Sequence, residues 1–446
     1  MHTLEQLRAG ELSGARYLKL CENLTTFPPE ILSLKATLEV LDLTGNQLST
    51  LPNELAECQH LRIIFCSENR FTALPEVLGR CPSLTMVGFK ANQIATVSAK
   101  SLPAGLRWLI LTDNQIEVLP DELGQCDGLQ KLMLAGNRLR ALPATLAQCR
   151  RLELLRIAAN RIERFPAWLL ALPRLSWLAY SGNPFSEDHA AQAIDDELIA
   201  SLSWDDLVVG ELLGQGASGE IYRANRINSN EVVAIKLFKG AVTSDGLPRC
   251  EMAASLAAGN HPNLIKVIGP INDHPCGIAA LVMALIDPAF TNLAGPPSLD
   301  SCTRDIYPVA LSLSVSEVLT IAHGIASVAG HLHRAGIMHG DLYGHNILFA
   351  RPPAAPTHAL LGDFGAASFY DRTNRELASG LERLEVRAFG CLLEELLARC
   401  KMAADLRVDI HSLTLACLSE TPSARPDFAQ ICAVLANAKH DSAVIH

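Results

Sequence analysis

The sequence predicts an α/β solenoid followed by a domain of mixed α and β structure, and three observations carry that reading. Asparagine recurs at Asn23, Asn46, Asn69, Asn92, Asn114, Asn137, Asn160 and Asn183, in steps of 23 residues with one step of 22; such a period is the mark of a solenoid. Around each Asn the spacing is L-x-x-L-x-L-x-x-N-x-L-x-x-L-P, as in Leu38, Leu41, Leu43, Asn46, Leu48, Leu51 and Pro52. After Trp204 the period is lost, and the chain turns to a glycine-tipped hairpin pattern.

In each coil the L-x-L core reads as a short strand of period two, with its leucines in the stack and the residues between them facing solvent. A buried Asn must have its amide hydrogen-bonded, and stacked coils offer it backbone partners, so one Asn per coil makes a ladder. Cys58, Cys81, Cys126 and Cys149 share one place in the coil and read as small core residues. The Leu-Pro pairs start the convex segments. Two coils depart from the pattern. The first is one residue short after Asn23 and predicts a frayed cap, and in the fourth Val97-Ser98 replaces Leu-Pro. The pattern resembles the leucine-rich repeat family over about residues 17–183.

The solvent-facing strand places are Val40, Ile63, Phe65, Met86, Trp108, Ile110, Met133, Leu154 and Trp177. A solenoid does not require them to be apolar, so this set predicts a concave surface for a protein substrate or regulator, with flanking side chains or docking of the second domain as the alternative cover. The predicted domains are 1–183 for the solenoid, 184–203 for a polar cap helix and linker containing Asp188, Asp195, Asp196 and Glu197, and 204–446 for the second domain.

The second domain opens with Gly214-x-Gly216-x-x-Gly219. Alone, this could start a dinucleotide-binding helix, but Glu220 to Ala224, a turn at Asn228-Ser229-Asn230 and Glu231 to Phe238 read as a β-hairpin. Such a hairpin lets backbone N–H groups fold over a triphosphate, and the next strand delivers Lys236 to its oxygens. Further on come His339-Gly340-Asp341, Asn346 and Asp363-Phe364-Gly365. Together these motifs resemble the protein kinase superfamily over about Leu207 to Ala438, and the resemblance implies an α+β bilobal protein-kinase-like domain using ATP and Mg2+.

The resemblance assigns roles residue by residue. Gly214, Gln215, Gly216, Ala217, Ser218 and Gly219 would cover the phosphates, and Lys236 would hold them, with Glu251 as its helix partner. Ile221, Ala234, Met283, Ala284, Ile286 and Leu348 would surround the adenine, with backbone groups of Ala284 and Ile286 at its edge. Asp341 would accept the acceptor's proton, and Asn346 and Asp363 would supply oxygens to the metal. His339 would pack on Phe364. Serine or threonine on protein is the implied acceptor. A catalytically weak scaffold, a small-molecule phosphotransferase of the aminoglycoside and choline kinase kind, and a pure binding module are the alternatives.

Departures from the family pattern carry their own expectations. Gly340 stands where many members have the arginine that grips a loop phosphate, and Tyr343 replaces a lysine that steadies the γ-phosphate. No Ala-Pro-Glu follows Gly365, and the next helix is expected near Glu385, in the place of the usual Asp. Arg425, in Arg425-Pro426-Asp427-Phe428, therefore needs a new partner. Activity independent of phosphorylation between Ala366 and Leu384 follows.

Composition limits the rest. At 446 residues and 49% apolar content the chain can bury more than one core. Its formal charge is −10, about −3 before Trp204 and about −7 after it, which disfavours nucleic acid as a main partner. The 13 cysteines include no C-x-x-C pair and read as reduced. The longest apolar stretch noted, Gly277 to Ile286, falls short of a membrane span and is stopped by Asp287-Pro288. With no secretory leader in the first residues, the expected location is cytoplasmic.

Overall fold

The computed structural model describes residues 2–186, 201–216, 218–229, 231–240, 242–243, 245–351, 357–400 and 404–444. The predicted cap helix with Asp188, Asp195, Asp196 and Glu197, together with Ala217, lies outside them. The chain divides into two compact units, Met1–Arg174 with Asn183–Phe185, and Leu175–Gly182 with Ser186–His446.

In the first unit the repeat produces strands β1 (Tyr17–Lys19), β2 (Val40–Asp42), β3 (Ile63–Phe65), β4 (Met86–Gly88), β5 (Trp108–Ile110), β6 (Lys131–Met133) and β7 (Leu154–Arg156). Each pairs in parallel with the next. The register sets Leu18, Leu41, Ile64, Val87, Leu109, Leu132 and Leu155 side by side, and all are buried. The asparagines form the ladder. Asn137 Nδ2 donates to Leu111 O of the preceding coil at 2.8 Å and to Leu134 O of its own at 3.0 Å, and its Oδ1 accepts from Ile116 N at 3.0 Å. Asn46, Asn69, Asn92, Asn114, Asn160 and Asn183 repeat the arrangement.

Asn23 does not join this ladder. It is exposed with φ 54°, the left-handed conformation that later coils give to the residue before the asparagine, as at Gly45, Asp113 and Gly182. The first coil is paired rather than frayed. Ahead of it, helix Leu4–Arg8 is closed by a reciprocal Thr3 and Gln6 capping box. The Leu-Pro pairs open short 3-10 turns such as Asn53–Glu57 and Asp121–Gln125. Where Pro is missing, Ser98 accepts from Lys100 N and caps the turn itself. Cys81 and Cys149 are buried, with Sγ directed at Leu55 O and Leu123 O of the preceding coils.

The expected solvent-facing set needs correction. Ile63, Met86, Met133, Leu154 and Trp177 are buried, while Val40, Phe65, Trp108 and Ile110 are half-buried. Neighbouring coils supply part of the cover: the Phe65 ring lies against Gly88, and Lys131 Nζ sits 4.2 Å above the Trp108 ring.

Strand β8 (Trp177–Ala179) belongs to the second unit. That unit continues with β9 (Leu207–Gln215), β10 (Gly219–Arg226), β11 (Val232–Phe238), β12 (Val267–Ile271) and β13 (Ala280–Ala284), in the sheet order β12-β13-β11-β10-β9. Next come β14 (Thr291–Asn292), β15 (Ile337–Met338), β16 (Ile347–Ala350), β17 (His358–Leu361) and β18 (Ser368–Phe369). Helix Pro248–Ala257 stands beside the five-stranded sheet, and helices Val315–Arg334, Arg375–Leu397, Ala404–Cys417 and Phe428–Val444 form the larger helical part.

Two helices differ from expectation. Helix Arg375–Leu397 starts ten positions before Glu385, because Asn374 caps it by accepting from Leu377 N; only residues 366–374 separate it from Gly365. Helix Val315–Arg334 is, by length and composition, apolar enough to cross a membrane, which the sequence reading passed over. It packs against helix Phe428–Val444 and buries Val318, Ile321, Ile325, Val328 and Leu332.

Candidate active site

The glycine-rich hairpin comes first. β10 pairs antiparallel with β9 and β11, setting Ile221 opposite both Gly214 and Lys236. Gly219 is needed for closeness: a Cβ there would lie 2.3 Å from Leu237 O. Gly214 and Gly216 have open space around them, so there the missing side chain leaves room above the hairpin tip. On β11, Ala234 lies opposite Met283 of β13 and Lys236 opposite Leu281. Ala284 commits its N–H to Lys266 O at 2.8 Å, and Ile286 follows beyond the strand, half-buried. Leu348 lies on β16 opposite Leu360 and Asn292.

Lys236 Nζ forms an ion pair with Glu251 Oε1 of helix Pro248–Ala257. Both side chains are nearly out of water, at 13% and 5% exposure, so the pair fixes the helix against the sheet. Burial pushes the Glu251 carboxyl up; Lys236 opposes that shift, and the charge of Asp363 adds to it. A bond from Ser218 also reaches the same carboxylate. Lys236, Glu251, Ser218 and Asp363 are thus brought together.

The loop from His339 to Asn346 comes next. Asn346 Nδ2 donates to Asp341 Oδ2 at 2.8 Å and to Asp341 O at 2.9 Å, closing the loop on itself. His339 Nε2 lies 2.9 Å from Gly362 O, and its ring is 5.3 Å from that of Phe364. Asp363 is exposed, at φ 54°, with Oδ1 accepting from Gly365 N at 3.0 Å. Asn346 is fixed through its nitrogen and keeps its amide oxygen as acceptor, and Asp363 adds a carboxylate. These two hard oxygens would suit a hard divalent cation. Among the described residues no cluster of three His, Cys, Asp or Glu side chains competes for a metal.

Glu385 is buried beneath the loop, its Oε1 accepting from Gly340 N at 2.7 Å and its Oε2 from His339 N at 3.2 Å, with His333 Nε2 at 2.9 Å. Burial works against its charge, but His333, His339 and the Gly340 N–H hold its carboxyl below the usual carboxylate range. His333 Nδ1 lies 2.8 Å from Tyr370 Oη, so one buried network ties the loop after Asp-Phe-Gly to the loop carrying Asp341. Arg425 is buried too, donating to Ser419 O and Arg383 O, both at 2.9 Å. Backbone carbonyls are therefore among its partners, and burial lowers its pKa to about 10.

The sequence reading missed three pairings. Asp305 accepts from His345 N at 2.9 Å and lies 2.7 Å from His345 Nδ1. Trp177 stacks on Tyr343, and Tyr180 reaches Ser368 and Phe369. Trp177 and Tyr180 lie far from their partners in sequence, and no local pattern marks either pairing.

The sequence matches the protein kinase domain family over residues 207–429, half of the chain. The chain belongs to the protein kinase family. Leucine-rich repeat families match residues 37–58 and 104–162. Among curated relatives of this chain, "Probable serine/threonine-protein kinase kinY" of Dictyostelium discoideum is 26% identical over 301 residues, 55% of this chain and 50% of that one. Serine/threonine-protein kinase pkn3 of Myxococcus xanthus is 29% identical over 171 residues, 37% of this chain and 28% of that one. Cytokinesis protein sepH of Aspergillus terreus is 32% identical over 185 residues, 39% of this chain and 12% of that one. The chain spans half or less of the length of each of these relatives. A solved leucine-rich-repeat protein of Leptospira interrogans is 30% identical with a TM-score of 0.31, over 40% of this chain and 50% of that one.

Proposed function

We propose that the chain is an ATP-dependent protein kinase that moves the γ-phosphoryl group of MgATP to serine or threonine hydroxyls on protein, its own chain included. The observation that carries this reading is the closed Lys236–Glu251 pair beside Asp363, with Asp341 already fixed by Asn346. A kinase needs little covalent chemistry from the protein; it needs position and charge. Asp341 orients the hydroxyl and takes its proton as the oxygen attacks the γ-phosphorus. The bond from that phosphorus to the ADP oxygen breaks, and ADP leaves. Lys236 holds the phosphates throughout. When bound at Asn346 and Asp363, magnesium supplies neutralising charge to the phosphate oxygens.

The repeats would recognise a protein partner through the half-buried apolar places Val40, Phe65, Trp108 and Ile110, and we place the protein in the cytoplasm. A scaffold without turnover is the second reading, favoured by one observation: Tyr343, in the place of a phosphate-steadying cation, has its ring face against Trp177. Incubation with labelled MgATP and mass-spectrometric mapping of the acceptor residues separates the two. Asp341→Ala and Lys236→Met should each lower turnover by about 100-fold or more. Asp341→Ala should melt as the native chain does, whereas Lys236→Met should also melt lower because it leaves the Glu251 carboxylate buried without its ion-pair partner. Near-native turnover in Asp341→Ala would sink the assignment. Stabilisation by nucleotide without any transfer selects the scaffold.

A further inference from the structure

In the second unit the short segment Leu175–Gly182 touches two of the loops that the proposed chemistry uses, the one carrying Asp341 and the one after Asp-Phe-Gly. The Trp177 ring stacks on Tyr343 with centroids 4.2 Å apart and planes 6° from parallel, and Trp177 Nε1 donates to Leu342 O at 3.2 Å. Both contacts fall within the loop that carries Asp341. Tyr180 N donates to Ser368 Oγ at 3.1 Å and Tyr180 Oη to Phe369 O at 3.3 Å, on the loop that follows Asp-Phe-Gly. Arg387, on the helix beneath, donates to Ser176 Oγ at 2.8 Å.

Gly340 shows how close this approach is. It adopts φ 74°, and a Cβ there would lie 2.5 Å from Leu178 O and 2.7 Å from Ala366 O. Both obstacles are backbone, so a side chain at this position would have to displace the segment or the loop. The glycine that removes a phosphate-gripping cation is the same glycine that admits Leu178. Ser368 and Tyr370 are buried, so two of the hydroxyls between Gly365 and the next helix are shielded from modification.

We propose that Leu175–Gly182 is a built-in brace: Trp177 and Tyr180 are positioning residues that hold the Asp341 loop and residues 366–370 in working order, in place of a loop phosphate. The brace rests on the phosphoryl-transfer reading for its purpose, though its mechanical part can be measured without turnover. It also gives Tyr343 a role, as the surface on which the brace stacks.

The test uses the full chain and four variants: Trp177→Ala, Trp177→Phe, Tyr180→Phe and Gly340→Ala. The measurements are amide hydrogen exchange over 340–346 and 366–370, melting, and kcat and KM for MgATP with the chain as its own acceptor. Trp177→Ala should raise exchange in both loops and lower kcat about tenfold or more, with KM for ATP within about twofold, since small misplacements of reacting groups cost up to about 100-fold. Trp177→Phe keeps a stacking ring and should recover most of both. Tyr180→Phe should loosen 366–370 alone, and Gly340→Ala should reproduce the Trp177→Ala pattern. A folded Trp177→Ala with native exchange in both loops overturns the brace. If Trp177→Ala does not fold, Tyr180→Phe decides, because it removes one hydroxyl only, and unchanged exchange at 366–370 then overturns it. Should the wild-type chain transfer no phosphate, the kinase reading falls, and the exchange results still settle the brace.

Discussion

Trp108 and Trp177 open their strands at the same place in the repeat, and each is followed by a fully buried leucine, Leu109 and Leu178. Their surroundings differ. Trp108 is half-buried under the Lys131 ammonium, and its Nε1 finds no acceptor among the described residues. Trp177 is 1% exposed, stacked on Tyr343 and bonded to Leu342 O. The repeat fixes where a tryptophan is anchored, and the residues facing it decide whether it is cover or brace.

The largest expected effect breaks this pair apart. Trp177→Ala should cost about 3–5 kcal/mol in denaturant unfolding, the range for emptying a packed aromatic site. Trp108→Ala should cost less, about 2 kcal/mol, since the ring is only partly buried and its cation–π contact adds about 0.5–1 kcal/mol. Equal costs at the two sites would mean that the difference in surroundings has no energetic content.

Glu385 sharpens the same contrast, because it holds the N–H groups of His339 and Gly340 in the loop that Trp177 also contacts. Glu385→Gln turns an acceptor into a group with its own donors beside Gly340 N and His339 N, and should cost about 1–3 kcal/mol. Its carboxyl titrates lower in the folded protein than when unfolded, so its contribution is present above the ordinary carboxylate value near pH 4.3 and is lost as pH falls through the lower folded value. Acid unfolding of Glu385→Gln should accordingly lack that part of the wild-type pH dependence.

The third effect is smaller still. Ser368 and Tyr370 belong to the buried network, so replacing them tests packing and not phosphorylation. Thr373 and Ser379 are exposed. The Thr373→Ala, Ser379→Ala double variant should keep turnover within about twofold, less than roughly 0.5 kcal/mol in the barrier. A tenfold loss in that variant would make the loop a switch.

Legibility in the sequence followed distance along the chain. The asparagine ladder could be read because each rung bonds to a neighbouring coil of the same pattern. The glycine hairpin, Lys236 and the loop from His339 to Asn346 could be read because their spacing is local. Helix Arg375–Leu397 was placed late because the signal at its start is a single cap, Asn374. The acceptors of Arg425 include carbonyl oxygens, which carry no residue type to recognise. The stack of Trp177 on Tyr343 joins two patterns that have no relation in sequence, and Gly340 was read for the arginine it lacks before Leu178 O showed what it admits.

Thiols offer the finest test of whether the two tryptophans serve different units. Burial raises the thiol pKa of Cys81 to about 11 in the first unit and of Cys417 to about 12 in the second, and both side chains are closed to solvent. At pH 8 little thiolate forms there, and reagent must wait for local opening. Cys21 and Cys276 are exposed and should label first in every variant. In Trp177→Ala, labelling of Cys391 and Cys417 should quicken several-fold while Cys81 and Cys149 keep their native rates, because the lost contacts lie in the second unit. In Trp108→Ala the order reverses and the change is smaller, as that ring is only partly buried. Uniform acceleration of all buried thiols in Trp177→Ala would mean that the chain opens as one body, and the comparison between the two sites would lose its basis.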